Sequence, residues 1–344
     1  MMKECKFGTH RVIEPKNVLP QPAIKIDPSL PITSNEILID VETLNIDSAS
    51  FTQIKDVCGS NASKMEDMIL DIVKNRGKMQ NPVTGSGGML IGTIKEIGVN
   101  FPDKSLNVGD KICTLVSLSL TPLVIDKIKK VNMDTDQVDI DGYAILFESG
   151  IYAVIPKDLP EKLVLAALDV AGAPAQVDKL VKKGDSVVVI GAAGKSGILC
   201  TYQAKQNAGE SGKVIGIVYN EDEANLLEEL KFADEVIIAD ATQAIDVYNK
   251  VLAVNNNEQV DVTINVVNVE NTEMGSILIT KDSGVVYFFS MATSFTKAAL
   301  GAEGVGSDVT MIVGNGYTKG HAELTIDIVR ESEKIRDLYA KKYL

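Results

Sequence analysis

The sequence of 344 residues is long enough for two hydrophobic cores, so two domains are expected. Its formal net charge is −13 and no basic cluster is larger than Lys127–Lys130, which argues against nucleic acid as a partner because phosphate binding needs a clustered positive surface. The apolar runs are much shorter than a membrane span, and the charged segment Met1–Lys6 is not typical of a signal peptide. We therefore expect a cytoplasmic protein.

The sequence has few of the cysteine and histidine side chains that zinc sites use. The four cysteines are scattered without a Cys-x-x-Cys pair, whereas structural zinc sites need closely spaced ligands and disulfides are rare in the cytoplasm. The four cysteines are Cys5, Cys58, Cys113 and Cys200. The only two histidines are His10 and His321. We expect neither a metal site nor disulfides.

The first part of the chain, residues 1–160, is predicted to be mostly β. Several short segments alternate apolar and polar residues or are continuously apolar, with glycine, proline and aspartate between them. Another segment has apolar residues at helical spacing and is followed by Gly77, which predicts a helix and its end. The predicted strands are Glu36–Leu44, Gly88–Ile97, Lys111–Leu118 and Gly150–Ile155, and the predicted helix is Ala62–Asn75.

From about Glu161 onward, apolar segments alternate with helical ones. Continuous apolar strands separated by helices indicate a parallel sheet covered on both faces, so we predict an α/β domain with a doubly wound sheet. The predicted strands are Val187–Ile190, Val214–Val218, Val236–Ala239, Val262–Val267, Val285–Phe289 and Val309–Val313. The predicted helices include one that ends at Asn207, Glu221–Leu230 and a single long helix over Ala322–Leu338.

The clearest functional signal is the turn Gly191-Ala-Ala-Gly-Lys-Ser-Gly197, between a strand that ends at Ile190 and a helix. Glycines at this spacing permit a tight turn and let the backbone approach a pyrophosphate at the helix N-terminus. We predict a Rossmann domain over residues 161–318 that binds NAD. The predicted cofactor-binding residues of this turn are Gly191, Ala193, Gly194, Lys195, Ser196 and Gly197.

The second Rossmann strand usually ends in an acidic residue that holds the adenosine ribose. Here Tyr219 and Asn220 stand at that position, and we predict that they bind or stack on the adenosine. Because no arginine is present there to bind a 2′-phosphate, NAD is favoured and NADP is the alternative. The segments after the later strands are expected to line the nicotinamide through Val267, Asn268, Ser290, Met291 and Ala292.

The tripeptide Gly194-Lys-Ser196 also resembles the end of a phosphate-binding P-loop. The full signature requires a glycine five positions before Gly194, where Val189 stands inside the strand. A nucleotide hydrolase is therefore the less favoured interpretation, and ATP binding without NAD binding would support it.

Four segments of the chain resemble motifs of the medium-chain dehydrogenase/reductase superfamily. They are Gly85–Gly98, Val108–Cys113, Ala166–Ala175 and the Gly191–Gly197 turn, which is similar to that of the quinone-reductase branch. The resemblance implies a GroES-like, mostly β catalytic domain over residues 1–160, completed by a C-terminal helix over 319–344, in addition to the Rossmann domain.

The sequence departs from that superfamily at the positions of the catalytic zinc ligands. Zinc-dependent members carry Cys, His and Cys where this chain has Asp47, Ser86 and Val170. The resemblance therefore implies a zinc-free member in which protein groups assist hydride transfer.

Two further segments, Gln80–Leu90 and Phe289–Glu303 with its continuation to Tyr317, resemble the diaminohexanoate dehydrogenases of lysine fermentation. The resemblance implies oxidative deamination of a β-amino acid. In that reaction NAD takes a hydride from C3, and water hydrolyses the resulting imine to release ammonia.

The same resemblance places Asp47 and Asp169 near the former zinc site, as carboxylates that hold substrate ammonium groups or accept a proton. Asp47 is equally well explained as the N-cap of a helix. Ser86, between two glycines, is a candidate to bind substrate or cofactor, or else belongs to a loop chosen for flexibility. Asp47, Ser86 and Asp169 are thus the candidate catalytic residues.

Two other functions stay open: a zinc-free, NADPH-dependent quinone or enoyl reductase, and a non-catalytic cofactor-binding protein. Formation of NADH from β-amino acids would separate all three. A homodimer is expected because it is the most frequent oligomer.

Overall fold

The computed structural model describes residues 4–290, 292–314 and 317–344. The chain divides into two compact units, one formed by Met1–Asp169 with Lys342–Leu344 and the other by Val170–Lys341. This division differs from the expected domains, because residues 161–169 belong to the first unit and most of residues 319–344 belongs to the second.

Within its described residues, the first unit contains two sheets and three α-helices. Its elements are β1 (Val12–Glu14), β2 (Lys25–Ile26), β3 (Glu36–Ile46), α1 (Ser48–Val57), α2 (Ala62–Arg76), β4 (Gly88–Ile97), β5 (Lys111–Thr114), β6 (Leu123–Asn132), β7 (Gln137–Phe147), β8 (Tyr152–Val154) and α3 (Glu161–Leu168). Strands β1 and β2 pair with each other, and the other six form an antiparallel sheet in the order β6-β7-β3-β4-β5-β8. The predicted mostly β character of this region is therefore confirmed.

The core of this sheet follows from alternation along β3, where Ile37, Ile39 and Val41 are buried and Asp40 between them is exposed. Helix α2 adds its apolar face, including Met65 and Ile69, to the same core. Helix α3 belongs to this unit, and Glu161 at its start pairs with Lys111 of β5 at 2.8 Å. That pairing explains why the first unit extends beyond residue 160.

The hairpin of β6 and β7 and the helix α1 were not predicted from the sequence. The pairing of β6 with β7 shifts register between Ile125 and Lys127 and again between Ile128 and Lys130. Each irregularity interrupts the period of two that identifies a half-buried strand. Helix α1 has only ten residues and buries few large apolar side chains, chiefly Phe51 and Ile54.

The second unit alternates helices and strands. Its elements are α4 (Gly172–Leu180), β9 (Ser186–Ile190), α5 (Lys195–Ala208), β10 (Lys213–Val218), α6 (Glu221–Leu230), β11 (Glu235–Ile238), α7 (Ala244–Val254), β12 (Val260–Asn265), α8 (Glu273–Leu278), β13 (Thr280–Phe288), α9 (Phe295–Val305), β14 (Thr310–Val313), α10 (His321–Glu331) and α11 (Glu333–Tyr343). Each strand predicted for this region is present, with ends that differ by a few residues.

All six strands of the second unit are parallel, in the order β11-β10-β9-β12-β13-β14. Along β9, Val187 and Val189 enter one apolar cluster and Val188 and Ile190 enter another, so the strand is buried on both faces. From β9 the chain adds β10 and β11 on one side of the sheet and then β12, β13 and β14 on the other. Doubly wound sheets bind ligands at such a switch point, here between β9 and β12. The prediction of an α/β, doubly wound fold is confirmed.

The C-terminal segment forms two helices instead of the single one predicted over Ala322–Leu338. Ser332 between them is extended, and its hydroxyl accepts a hydrogen bond from the Ile335 amide at 3.3 Å, which starts α11. Helix α10 packs on α4 and α5, which explains why this segment joins the second unit. Within the described residues, no helix has both the length and the apolar composition that crossing a membrane requires.

Candidate functional site

The predicted cofactor turn connects the C-terminal end of β9 to the N-terminus of α5. Gly191 has a φ of 83°, in the left-handed region that favours glycine, and its amide donates to the carbonyl of Ile217 in β10 at 3.0 Å. Gly194 is the N-cap of α5 and supplies no side-chain cap. The first-turn amides of a helix have no acceptor within the helix, so this N-terminus suits an anion such as pyrophosphate.

The glycines of this turn differ in what surrounds them. A Cβ atom on Gly191 would lie 3.0 Å from the side chain of Val267, so the turn and the segment after β12 are in close contact. Gly194 is exposed, and a Cβ atom on it would meet, among the described residues outside its own helix and chain neighbours, the carbonyl oxygen of Gly191 alone, at 3.3 Å. The backbone at Gly194 is therefore open to a ligand, as the approach of a dinucleotide requires.

Lys195 follows Gly194 as the first residue of α5, and Ser196 and Gly197 complete its first turn. The carbonyl oxygen of Lys195 accepts a hydrogen bond from the hydroxyl of Tyr339 at 2.9 Å, and Tyr339 is buried. Helix α11 thereby fixes the start of α5 from outside the sheet. No local sequence pattern indicates this contact, because the two residues lie far apart in the chain.

At the end of β10, Tyr219 has an exposed ring and Asn220 is the N-cap of α6. The side-chain oxygen of Asn220 accepts from the Glu223 amide at 3.0 Å, and the Glu223 carboxylate accepts from the Tyr219 amide at 2.9 Å. An acidic group therefore does lie at the end of β10, contrary to the expectation from the sequence. It comes from the helix, and the spacing Asn-x-x-Glu of a capping box was the signal that could have revealed it.

The segments after β12 and β13 lie at the same carboxyl edge of the parallel sheet as the glycine turn. The Ser290 hydroxyl donates to the side-chain oxygen of Asn268 at 3.2 Å, and the Ala292 amide donates to the Ser290 hydroxyl at 3.1 Å. The structure thus brings Asn268, Ser290 and Ala292 together, and their place at the nicotinamide stays a prediction. Met291 lies outside the described residues.

In the first unit, Asp47 and Ser86 are linked through Ser50. One carboxylate oxygen of Asp47, Oδ1, accepts from the Ser50 amide at 3.1 Å, so Asp47 is the N-cap of α1. The hydroxyl groups of Ser50 and Ser86 are 2.7 Å apart. The other oxygen of Asp47, Oδ2, is buried and has no hydrogen-bond partner among the described residues. A buried oxygen without a donor is costly, and it is therefore suited to a ligand that brings one.

The loop that carries Ser86 is shaped by Asn81, which the sequence interpretation missed. Asn81 is fully buried, and its amide nitrogen donates to the Gln53 side chain at 2.8 Å and to the Ser50 carbonyl at 3.3 Å. Its backbone amide donates to the Ser86 carbonyl at 2.9 Å, which closes the loop. Asn81 therefore holds Ser86 and Ser50 in a common arrangement.

Asp169 is the C-cap of α3 and is partly buried. Burial, together with the negative charge of Asp169, raises the pKa of the Cys113 thiol, so the carboxylate lies near the end of β5. Cys113 is completely buried and its thiol stays protonated at neutral pH. Cys113 is therefore not a candidate nucleophile.

Comparison with known proteins gives a consistent result over the full length of the chain. The sequence is 63% identical over 344 residues to L-erythro-3,5-diaminohexanoate dehydrogenase of Acetoanaerobium sticklandii, with 100% of both chains covered. It is 61% identical over 345 residues to the protein of the same name from Fusobacterium nucleatum subsp. nucleatum, again with 100% of both chains covered. The model of the L-erythro-3,5-diaminohexanoate dehydrogenase N-terminal domain matches residues 10–156.

The chain belongs to the L-erythro-3,5-diaminohexanoate dehydrogenase family.

Solved structures similar to this member of the diaminohexanoate dehydrogenase family are more distant and show the fold alone. A mycobacterial quinone oxidoreductase has a TM-score of 0.58 and 18% identity, with 94% of each chain covered. An alcohol dehydrogenase from Thermotoga maritima has a TM-score of 0.57 and 14% identity, covering 91% of this chain and 86% of its own. The resemblance to medium-chain dehydrogenases and reductases is therefore confirmed at the level of fold.

Of the three positions that correspond to zinc ligands elsewhere in the superfamily, Val170 is buried and apolar in this family member. Within residues 4–290, 292–314 and 317–344, no group of three or more His, Cys, Asp or Glu side chains is arranged to hold a metal ion. Zinc independence stays a prediction.

Proposed function

We propose that the protein catalyses the NAD-dependent oxidative deamination of L-erythro-3,5-diaminohexanoate to 5-amino-3-oxohexanoate. The balanced reaction consumes NAD⁺ and water and yields NADH, ammonium, a proton and the oxo acid. The observation that carries this proposal is the 63% identity, over the whole of both chains, to a dehydrogenase of that name. The open glycine turn at the end of β9 supports it independently, because a dehydrogenase of this fold needs a dinucleotide site.

The residues that would hold the cofactor follow the C-terminal ends of four parallel strands. The turn of Gly191, Ala193, Gly194, Lys195, Ser196 and Gly197 would hold the pyrophosphate, with Tyr219 and Asn220 at the adenosine and Val267, Asn268, Ser290 and Ala292 at the nicotinamide. When bound, the nicotinamide accepts the hydride that leaves C3 of the substrate.

A preference for NAD over NADP is supported by the charge of the first turn of α6. Glu221, Asp222 and Glu223 stand there, and that turn contains no basic residue. The carboxylate of Glu223 is held at the end of β10 by its hydrogen bond with the Tyr219 amide. Three negative charges at this place repel the 2′-phosphate of NADP. A carboxylate there can accept a hydrogen bond from the ribose hydroxyl of NAD.

Oxidation at C3 requires the neutral amine, so a base must remove a proton from the C3 ammonium group. We assign the contacts with the two substrate ammonium groups to Asp47 and Asp169, and a supporting hydrogen bond to Ser86. The unpartnered Oδ2 of Asp47 supports this assignment, because an ammonium group would supply the donor it lacks. After oxidation, water attacks C3 of the imine, the C–N bond breaks and ammonia leaves with the 3-oxo group formed.

The deciding experiment is incubation of the purified protein with NAD⁺ and L-erythro-3,5-diaminohexanoate. We expect NADH and ammonia in equal amounts, and slower formation of NADPH from NADP⁺. Oxidation of NADPH by quinones or enoyl thioesters, without deamination, would instead identify a reductase. Cofactor binding without turnover of either substrate class would identify a non-catalytic protein.

We further propose that the protein is a homodimer. In support, β14 is an edge strand among the described residues, pairing there with β13, its four residues Thr310–Val313 include no charge, and Val313 is exposed. Uncharged edge strands are prone to pair with another chain. Light scattering should give twice the chain mass, and the mass of one chain would reject the dimer.

A cytoplasmic location is proposed as well. Cys5, Cys58, Cys113 and Cys200 are all unpaired, as is usual in a reducing compartment. Fractionation of cells into cytoplasm and membranes, followed by immunodetection, tests this assignment.

A further inference from the structure

The segment that follows β12 is tied to the start of α8 by a buried asparagine. Asn265, the last residue of β12, is completely buried and donates to the hydroxyl groups of Thr272 at 2.8 Å and Ser276 at 2.9 Å. Its side-chain oxygen accepts from the Val267 amide at 3.3 Å. The amide group therefore fixes both ends of the segment 266–272 and presents α8 in one position relative to the sheet.

Glu273, the first residue of α8, extends this arrangement to the next strand. Its side chain is buried, with 2% of the residue exposed, and its Oε1 accepts a hydrogen bond from the Ser294 amide at 2.6 Å. Ser294 is the N-cap of α9, and its hydroxyl accepts from the Lys297 amide at 3.3 Å. A buried carboxylate is costly unless it is hydrogen-bonded, so the burial of Glu273 depends on the position of Ser294.

Two more hydrogen bonds connect the same two segments closer to solvent. The Ser290 hydroxyl donates to Asn268 at 3.2 Å, and the Lys297 ammonium donates to the side-chain oxygen of Asn271 at 2.6 Å. Among the described residues, the hydrogen bonds of Glu273, Ser290 and Lys297 thus join the segments that follow β12 and β13, and of these three side chains Glu273 is the buried one. Both segments start at the carboxyl edge of the parallel sheet, where Rossmann domains bind their ligand.

We infer that Glu273 is a positioning residue for the nicotinamide half of the cofactor. It acts through Ser294, holding residues 292–294 against the segment 266–272, and does not itself contact the cofactor. The inference rests on the proposed function, because it requires that these two segments bind nicotinamide. It also explains why a carboxylate is buried at the start of α8, where the sequence interpretation had assigned no functional residue.

The test compares the affinity of the full chain for NAD⁺ and for ADP-ribose, which lacks the nicotinamide, by titration calorimetry. Glu273→Ala should weaken NAD⁺ binding roughly 10- to 150-fold, the range for a lost charge-assisted hydrogen bond, while ADP-ribose binding changes less than about twofold. Glu273→Gln retains an oxygen that accepts from Ser294 and should restore NAD⁺ affinity to within about fivefold of wild type. Glu303→Ala removes an exposed carboxylate of α9 and should change neither affinity.

Equal NAD⁺ affinity in wild type and Glu273→Ala overturns the inference. An equal loss of affinity for NAD⁺ and ADP-ribose also overturns it, because it would mean that Glu273 supports the fold in general. If Glu273→Ala does not fold, Lys297→Met breaks the exposed link to Asn271 instead. That variant should weaken NAD⁺ binding about threefold, as expected for loss of a surface hydrogen bond, and leave ADP-ribose binding unchanged. Unchanged affinity for both ligands would count against the inference. Failure of the wild-type chain to bind either ligand would reject the proposed function itself.

Discussion

A Cβ atom on Gly197 would lie 2.0 Å from the carbonyl oxygen of Gly191, whereas a Cβ atom on Gly194 would lie 3.3 Å from the same oxygen. Two glycines of one turn therefore have different physical functions. Gly197 allows α5 to pack against the turn, and Gly194 leaves the surface of the turn open. Substitutions at the two positions should separate folding from cofactor binding.

Gly194→Val should abolish measurable NAD⁺ binding while the thermal unfolding temperature stays near that of wild type. The branched side chain would occupy the space where the backbone approaches the pyrophosphate. Gly197→Ala should instead destabilise the second unit by roughly 1–3 kcal/mol, as expected for overpacking against rigid backbone. Calorimetric NAD⁺ affinity and thermal unfolding of both variants are the measurements, and unchanged affinity in Gly194→Val would show that the turn is only structural.

Asp47→Asn and Asp169→Asn should each lower kcat/KM for the diamino acid by roughly 10- to 150-fold, with NAD⁺ affinity near wild type. Loss of a charge-assisted hydrogen bond costs about 1.5–3 kcal/mol, which corresponds to that range. Asparagine at position 47 still caps α1, so the fold is preserved. If one of these carboxylates is the catalytic base, its variant should show the larger loss of activity, mainly in kcat. The acidic side of its pH–rate profile should also change.

The matched control for these two variants is Asp141→Asn, since Asp141 is an exposed residue of β7 that pairs with Lys129. It should retain wild-type kinetics. If Asp47→Asn and Asp169→Asn also match wild type with every β-amino acid tested, these carboxylates are structural.

The contribution of Lys78 to the stability of the protein should rise with pH between about 7 and 10.5. This residue is completely buried, donates to the carbonyl oxygens of Pro20 at 2.7 Å and Gln21 at 3.0 Å, and burial together with the charge of Arg76 lowers its pKa to about 7. The unfolded chain keeps the ordinary lysine pKa of 10.5 and so binds more protons within this range. Because the extra proton is bound by the unfolded state, raising the pH favours the folded state, by at most about 1.4 kcal/mol per pH unit.

Lys78→Met removes this titration, so the urea midpoint of wild type should rise relative to that of Lys78→Met from pH 7 to pH 10. Lys104→Met, at an exposed lysine of the same unit, is the control and should keep the wild-type slope. Identical pH dependence in wild type and Lys78→Met would mean that Lys78 stays protonated throughout.

Treatment with a chelator should leave activity unchanged, and elemental analysis should find no stoichiometric zinc. Ser86 and Val170 lack the donors that zinc uses in related dehydrogenases. One tightly bound zinc per chain, lost together with activity, would contradict this prediction.

The sequence predicted the second unit well because its strands are continuously apolar and are bounded by glycine or helix caps. Segment Glu221–Leu230, for example, was predicted with the ends that α6 has, since Asn220 caps it and the apolar residues keep helical spacing. The hairpin of β6 and β7 was missed because its register shifts hide the alternation of apolar residues. The break at Ser332 was missed because the apolar period continues across it.

The candidate site was predictable only where one short motif carries the signal. The glycine turn and the N-cap role of Asp47 follow from residues within a few positions of each other. Asn81 and Glu273 could not be found in this way. Asn81 bonds to Gln53 and Glu273 bonds to Ser294, and both partners are distant in sequence. Long-range hydrogen bonds leave no local pattern.

The all-parallel sheet of the second unit has a consequence for the order in which the chain folds during synthesis. Its central pair joins β9 to β12, so Val187 cannot meet Val262 until the intervening residues have left the ribosome. The first unit, by contrast, has all six strands of its antiparallel sheet complete by Val154. Domains fold as units from the N-terminus, so the first sheet forms while the apolar strand β9 is still without one of its neighbours. We therefore expect nascent chains that carry β9 and β10 but not yet β12 to expose the most unpaired apolar strand and to be the stage at which a chaperone binds best.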